Sequence, residues 1–235
     1  MNDVPAIEIS GLSYRYPDGT SALNGIDLIV KTGEKAGIIG ANGAGKSTLL
    51  LHLNGILRGE GTVRVFGAAV NRSNLNLIRR EVGLVFQNPD DQLFCPTLFD
   101  DVAFGPRNMK IPEQEVMRRV THALQLAGLD GLDHKSAFHL SIGQKKRGAL
   151  ATVFSMDTRI LALDEPTSNL DPRARRELIA LLKDLAETQV VATHDLALVR
   201  DLCSRVVLMD RGKIVADGQT SDILENRALL EQHGL

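Results

Sequence analysis

The segment Gly40-Ala41-Asn42-Gly43-Ala44-Gly45-Lys46-Ser47, followed by Thr48, constrains the fold more than any other stretch of the chain. Its spacing is G-x-x-x-x-G-K-[ST], with apolar residues at 36–39 before it and a helical run over 46–56 after it. A strand, a glycine loop and a helix in that order aim a helix N-terminus and successive backbone N–H groups at one point, which makes an anion site. The glycines remove Cβ atoms that would obstruct phosphate oxygens. Lys46 then has reach to the β- and γ-phosphates of a nucleotide, and the Ser47 hydroxyl suits Mg²⁺. At average composition the four fixed positions match by chance in roughly one such chain in a hundred. A plain glycine turn beside a lysine would need neither the strand nor the helix.

A second constellation is independent of the first. Ile160-Leu161-Ala162-Leu163-Asp164-Glu165 is an apolar strand that ends in two carboxylates. An Asp there holds Mg²⁺ through water, and the neighbouring Glu polarises an attacking water. The plain alternative is a strand exit capped by acids. Strands are expected at 6–10, 13–16, 25–30, 35–39, 61–66 and 82–87, broken by Gly, Pro or Asp. Residues 89–150 read as helical, with Pro112 in a first turn, Glu113 and Glu115 at its electropositive end, and Gly128 closing it. Val116, Val120, Ala123, Leu124 and Ala127 recur at helical spacing as a packing stripe. Beyond 150, strand and helix alternate at 159–163, 173–186, 190–193, 196–202 and 206–209, the rhythm of a parallel α/β sheet.

Composition removes other classes. Lys plus Arg is 27 against 29 for Asp plus Glu, a net charge of −2. That balance argues against a chain that neutralises nucleic-acid phosphates, so no nucleic-acid partner is expected. The longest stretch without a charge, 47–57, is eleven residues, short of the roughly 20 that span a bilayer. Residues 1–10 lack the basic start and apolar block of a secretory signal. Cys95 and Cys203 follow no metal-ligand spacing and read as reduced packing residues. The 21 glycines are many for a chain with 4% aromatics. Gly40, Gly43, Gly45 and Gly143 are assigned to close approach of phosphate, and Gly105, Gly128 and Gly212 to turns or helix ends. Both tyrosines, Tyr14 and Tyr16, are two apart and share a strand face.

With these motifs in place the chain resembles the nucleotide-binding subunit of an ATP-binding-cassette transporter, over nearly its whole length. Leu140-Ser141-Ile142-Gly143-Gln144 is similar to the cassette signature, and Gln87 falls at the Q-loop glutamine. Ser168-Asn169-Leu170-Asp171 resembles the D-loop, and His194, after the apolar 190–193, resembles the switch histidine. Tyr16, which immediately precedes the Pro17-Asp18-Gly19 turn, resembles the aromatic that stacks on adenine, in preference to Tyr14. The resemblance implies an α/β P-loop ABC-ATPase fold with a RecA-like core, an N-terminal antiparallel β subdomain and an inserted α-helical subdomain. One ATP-binding domain would cover 1–235, with 1–87 and 151–235 as β subdomain and core and 88–150 as helical signature subdomain. It implies ATP and Mg²⁺ as cofactors. The catalytic residues would be Glu165, His194, Gln87 and Lys46. ATP would be held by Tyr16, Gly40, Asn42, Gly43, Ala44, Gly45, Lys46, Ser47 and Thr48, and Mg²⁺ by Ser47, Gln87 and Asp164. Ser141, Gly143 and Gln144 would complete the site in trans from a second subunit.

A narrower resemblance surrounds the glutamine. Val85-Phe86-Gln87-Asn88-Pro89-Asp90-Asp91-Gln92-Leu93-Phe94 and Asp100-Asp101-Val102-Ala103-Phe104-Gly105-Pro106 are similar to energy-coupling-factor importers of vitamins or transition-metal ions. The segments 12–19 and 144–147 resemble the cobalt/nickel branch most. The short stretch after Gln219 leaves no room for the longer C-terminal region of many vitamin-importer ATPases. The resemblance implies a homodimer of ATPase subunits, a transmembrane coupling subunit and a substrate-binding membrane subunit, with this chain peripheral on the cytoplasmic face of the cell membrane. Alternatives are the ATPase of a vitamin importer, biotin for example, and a soluble cassette ATPase outside transport. The latter would bring a coiled-coil insertion or a second cassette. Two departures stand out: Ile142 replaces the first signature glycine, close to the phosphate grip, and Asn169 stands where alanine is usual. The acids Asp90, Asp91, Asp100 and Asp101 are expected to edge a groove for a basic helix of the membrane partner.

Overall fold

The computed structural model describes residues 4–235. In chain order its strands and α-helices are β1 (Ile7–Arg15), β2 (Ser21–Val30), β3 (Lys35–Ile39), α1 (Lys46–Leu53), β4 (Glu60–Val65), β5 (Ala68–Ala69), α2 (Leu75–Glu81), β6 (Val82–Val85), α3 (Leu98–Asn108), α4 (Glu113–Leu126), α5 (Ile142–Phe154), β7 (Ile160–Asp164), α6 (Pro172–Asp184), β8 (Thr188–Ala192), α7 (Leu196–Leu202), β9 (Arg205–Asp210), β10 (Lys213–Gln219), α8 (Thr220–Glu225) and α9 (Arg227–Gln232). The chain forms two units. The first runs to residue 84 and takes in 159–165 and 186–235; the second holds 85–158 and 166–185.

The first unit carries two sheets. One is four-stranded with the order β2-β1-β4-β5, its neighbours antiparallel. The two short strands expected at 6–10 and 13–16 are a single strand, β1, whose register against β2 shifts between Ile9 and Leu12. Gly11 marks the irregularity at φ +59, and its N–H donates to the Asp27 carboxylate at 2.8 Å. A glycine inside a strand here makes a bulge rather than a break. The other sheet has the order β10-β9-β3-β8-β7-β6, with β9, β3, β8 and β7 parallel and β10 an antiparallel edge. Residues 36–39, 160–163 and 188–192 are all buried, as strands covered on both faces require.

Register decides what these strands deliver. Ile38 of β3 and Asp164 of β7 both pair with Ala192 of β8. The carboxyl ends of three adjacent strands are therefore level, and open parallel sheets bind ligands outside that edge. α1 packs on β7 and β8 of this sheet and on β2 and β4 of the other. It is enclosed on most sides, with Leu49, Leu50 and Leu53 at most 1% exposed, so no polar face is left to read in its sequence. The expected helix 46–56 stops at Leu53, where Asn54 caps it. α2, β10, α8 and α9 were not expected. β10 pairs with β9 alone and its residues are half-buried or exposed, so it shows no apolar pattern.

The second unit is helical. Leu93, Leu98, Val102, Val116, Val120, Ala123, Leu124 and Ala127 form its core, which includes every residue of the predicted stripe. Pro106 lies inside α3 and lacks the N–H that would bond the carbonyl of Val102. The buried Ser155 hydroxyl fills that vacancy, donating to the Val102 oxygen at 2.7 Å. Two expectations are corrected here. Gly105 is not at a turn: it sits within α3, where an added Cβ would meet Met156 Sδ at 2.5 Å, so it serves close packing. Asp101 does not edge a groove either. It is 3% exposed, and one carboxylate oxygen accepts the N–H groups of Phe94 and Cys95 at 2.9 and 2.8 Å, stapling the loop before α3. Burial raises its pKa above the ordinary 3.8, against those two hydrogen bonds.

Candidate active site

The glycine loop leaves β3 at the level carboxyl edge. At Gly40 φ is +151°, and a Cβ would overlap the main-chain oxygen of Met209 in β9. At Gly45 a Cβ would lie 2.5 Å from the oxygen of Ala22. These two glycines are thus demanded by the fold itself. Gly43 is different: it has φ +81° with nothing within 4 Å of its Cβ position, and it is exposed beside Asn42 and Ser47. Lys46 is 7% exposed, and its ammonium donates to the carbonyls of Gly40 at 2.7 Å and Ala41 at 3.1 Å. Burial pushes its pKa down from 10.5, while the charges of Glu165 and Asp164 pull it back up. Ala44 is buried, and its carbonyl accepts the Gly212 N–H at 3.0 Å, so the loop is fixed before any ligand arrives.

The next strand but one, β7, ends at the half-buried Asp164 and hands on to Glu165. Glu165 takes φ +44°, a strained conformation for this residue type. Its surroundings hold it there. Its N–H donates to Ala192 at 2.8 Å, Oε2 accepts from the Thr193 hydroxyl at 2.8 Å, and Oε1 accepts from the His194 N–H at 3.0 Å. His194 Nδ1 lies 2.7 Å from the same Oε1. A carboxylate accepts, so Nδ1 carries the proton, and the ring, 59% exposed, keeps Nε2 for another partner. Thr193 was missing from the sequence reading. Its hydroxyl, placed between a buried strand and His194, also accepts the Asp195 N–H at 3.0 Å and shapes this turn.

The tyrosines form an edge-to-face pair. Tyr14 packs edge-on against Tyr16, with centroids 5.0 Å apart, and against His52 of α1 at 4.9 Å. Tyr16 is tied to the phosphate-loop helix by a 3.0 Å hydrogen bond between its hydroxyl and that of Thr48. His52 was also missed: it is 1% exposed, and Nδ1 bonds the Thr48 carbonyl at 2.7 Å. On the other flank, a cavity of about 440 Å³ is lined by Ala41, Asn42, Gly43, Asp210 and His233.

In the second unit the signature segment starts a helix. Ser141 caps α5 and accepts the Gln144 N–H at 3.3 Å, while the Gln144 side chain accepts the Ser141 N–H at 2.9 Å, a reciprocal capping box. The S-x-x-Q spacing was the available signal. Gly143 is buried, and a Cβ there would come 3.1 Å from Ala174 of α6, so its smallness lets two helices approach. Ile142 is 40% exposed and does not disturb the cap. Asn169 adopts φ +61°, a left-handed conformation that Asn takes more readily than alanine. Asp171 caps α6 through the N–H groups of Arg173 and Ala174. Gln87 is exposed, and its carbonyl accepts from the ammonium of Lys146 at 2.7 Å. The sequence reading assigned Lys146 no role, and between the charged Lys145 and Arg147 nothing in the sequence marks it as the buried one.

A phosphate-type loop and a carboxylate pair on one level strand edge define a P-loop nucleotide hydrolase. The model of the family described as ABC transporter matches residues 23–168. The chain is 48% identical to the energy-coupling factor transporter ATP-binding protein EcfA of Carboxydothermus hydrogenoformans, over 98% of this chain and 86% of that one. It is similar in structure to cbiO1 of Clostridium perfringens, a part of the ABC transporter complex cbiONQ, with a TM-score of 0.84, 39% identity, and coverage of 97% and 94%. A dimeric ATP-binding cassette in a post-hydrolysis state with ADP and Pi aligns with a TM-score of 0.82 at 26% identity, covering 91% and 98%. The chain belongs to the ABC transporter family and has the ABC-ATPase fold. It is an ATPase whose hydrolysis of ATP is coupled to transport. Among the described residues no helix is long and apolar enough to cross a membrane.

Proposed function

We propose that the chain is the ATPase subunit of an energy-coupling-factor importer for cobalt or nickel ions, acting as a homodimer on the cytoplasmic face of the membrane. Likeness to EcfA and to cbiO1 supports the importer type, and the segments 12–19 and 144–147 support the metal branch. The observation that carries the reading is Glu165, locked by Thr193 and His194 at the same sheet edge that bears Lys46 and Asp164. Residues 1–235 act as one ATP-binding domain in this reading.

ATP lays its adenine on Tyr16, whose ring Thr48 and Tyr14 hold, and its phosphates along the loop from Gly40 through Asn42, Gly43, Ala44, Gly45, Lys46 and Ser47 to Thr48. Lys46 would exchange its loop carbonyls for the β- and γ-phosphates. Ser47 and Asp164 offer only oxygen donors, the chemistry Mg²⁺ takes, with Gln87 joining them by resemblance. Bound there, the metal would supply charge neutralisation at the phosphates. Glu165 orients the lytic water and accepts its proton; because it is already fixed, little reorganisation is required. His194, with Nδ1 on Glu165, offers Nε2 to the γ-phosphate. In trans, the second copy contributes Ser141, Gly143 and Gln144, at the N-terminus of a 13-residue helix that favours an anion. Exposed Phe94 and Phe104, 5.1 Å apart and close in sequence to Asp90, Asp91 and Asp100, suit an apolar and basic element of the coupling subunit.

The test is Glu165→Gln in the purified chain. Hydrolysis should fall by about a hundredfold or more, while ATP still binds and draws monomers into a dimer on size-exclusion chromatography. Retained hydrolysis would reject the assignment. Uptake of labelled cobalt, nickel or biotin by the reconstituted complex decides the cargo, and biotin uptake alone would remove the metal branch.

A further inference from the structure

Lys145 and Lys146 are neighbours on α5 with different fates. Lys145 reaches the partly exposed Asp90 carboxylate at 2.7 Å. Lys146 turns inward and is 2% exposed, among the largest fully buried side chains. Its ammonium donates to the main-chain carbonyl of Gln87 at 2.7 Å and to the Ser168 hydroxyl at 3.0 Å. Taking an ammonium out of water costs several kcal/mol, which only well-made hydrogen bonds offset. Packing alone would be served by Met or Leu at lower cost.

The partners are what give this site meaning. Lys146 lies on the helix that Ser141 caps, Gln87 is 59 residues away in sequence, and Ser168 is 22 residues away. Gln87 and Ser168 both lie in segments without helix or strand. One ammonium therefore pins two irregular loops to the start of one helix. The grip on Gln87 is through its backbone, which leaves the exposed amide side chain free to act while fixing the point from which it extends.

We propose that Lys146 is a positioning residue for ATP hydrolysis, the hub that holds the Gln87 loop, the 168–171 loop and the signature helix in one arrangement. It does not touch nucleotide. The inference rests on the role proposed above for Gln87. A hub of this kind sets how the loops present their groups in the transition state rather than how tightly ATP binds, so it should alter kcat more than KM.

Steady-state hydrolysis by the full chain tests it. Lys146→Met keeps the length of the side chain and removes the donor; kcat should fall about tenfold with KM for ATP within about twofold. Lys146→Gln, a shorter neutral donor, should recover part of the loss. Ser168→Ala should lower kcat about threefold, and the double variant should be no worse than Lys146→Met, because both remove the same bond. Wild-type kcat in Lys146→Met, a matching rise in KM, or additive losses in the double variant would overturn the proposal. Should Lys146→Met not fold, Ser168→Ala decides: lowered kcat at constant KM supports the hub, and wild-type kcat overturns it. An inactive Glu165→Gln beside a fully active Lys146→Met refutes the hub alone, whereas an active Glu165→Gln refutes the site on which it rests.

Discussion

Glu165 in the first unit is 6% exposed, strained at φ +44°, and held by the carbonyl that ends the adjacent strand β8 and by the turn that follows it. Ser141 in the second unit is exposed, relaxed, and held by the first turn of its own helix. One side chain takes its position from sheet register and the other from local capping. Register is a property of many residues at once and survives strain at one of them. A cap is local and leaves its side chain open to an outside partner. The first arrangement suits a group that must be rigid before a ligand arrives, and the second suits the trans contact proposed for Ser141.

The contrast can be broken most forcefully at two glycines. Gly40→Ala puts a methyl group onto the main-chain oxygen of Met209, at φ +151°, and neither the strand nor the loop can yield. It should cost about 3 kcal/mol or more and abolish ATP binding. Gly105→Ala meets the thioether of Met156 at 2.5 Å, the flexible end of a side chain that can turn aside. Its cost should be about 1–2 kcal/mol with ATP binding intact. Denaturation midpoints measure both, and equal costs would show that register is not what stiffens the first unit.

Legibility in the sequence divides along the same line. The loop 40–47, the strand ending at Asp164 and the stripe from Val116 to Ala127 could be read because each obeys a local spacing rule. What could not be read depends on partners distant in sequence. Gly105 looked like a turn residue because nothing nearby announces Met156, and Asp101 looked like a surface acid because its acceptor role depends on a loop folding back over it. Likewise Lys146, Thr193 and His52 carry no motif, and their roles come from contacts with Gln87, Glu165 and Thr48. Ser141 and Asp171 were found by resemblance, yet both also obey capping rules that read directly from S-x-x-Q and Asp-Pro.

Buried hydroxyls give a smaller, sharper comparison. Ser155 in the second unit answers the carbonyl that Pro106 leaves open, and Thr193 in the first holds the Glu165 carboxylate. Ser155→Ala should cost about 1–3 kcal/mol of stability with kcat unchanged. Thr193→Ala should cost less stability but, if Glu165 is the base as proposed, lower kcat about tenfold, since it frees that carboxylate. Reversed outcomes would show that the second unit's packing reaches the chemistry directly.

The smallest effect concerns pH. His52, beneath Tyr14, is buried, and burial lowers its pKa from 6.5 against the opposing hydrogen bond to Thr48. Above about 6.5 the folded and unfolded chains both carry it neutral, so it adds no pH dependence there. Below that value the unfolded chain binds a proton that the folded chain refuses, and stability falls by at most about 1.4 kcal/mol per pH unit until the lowered folded pKa is reached. His52→Gln, which does not titrate, removes this slope while leaving the other five histidines in place. The wild type should therefore lose stability relative to His52→Gln as the pH drops from about 7 to 5. A difference that stays constant with pH would mean that His52 is not sealed beneath the tyrosines, and that the platform under Tyr16 is looser than the strand edge beside it.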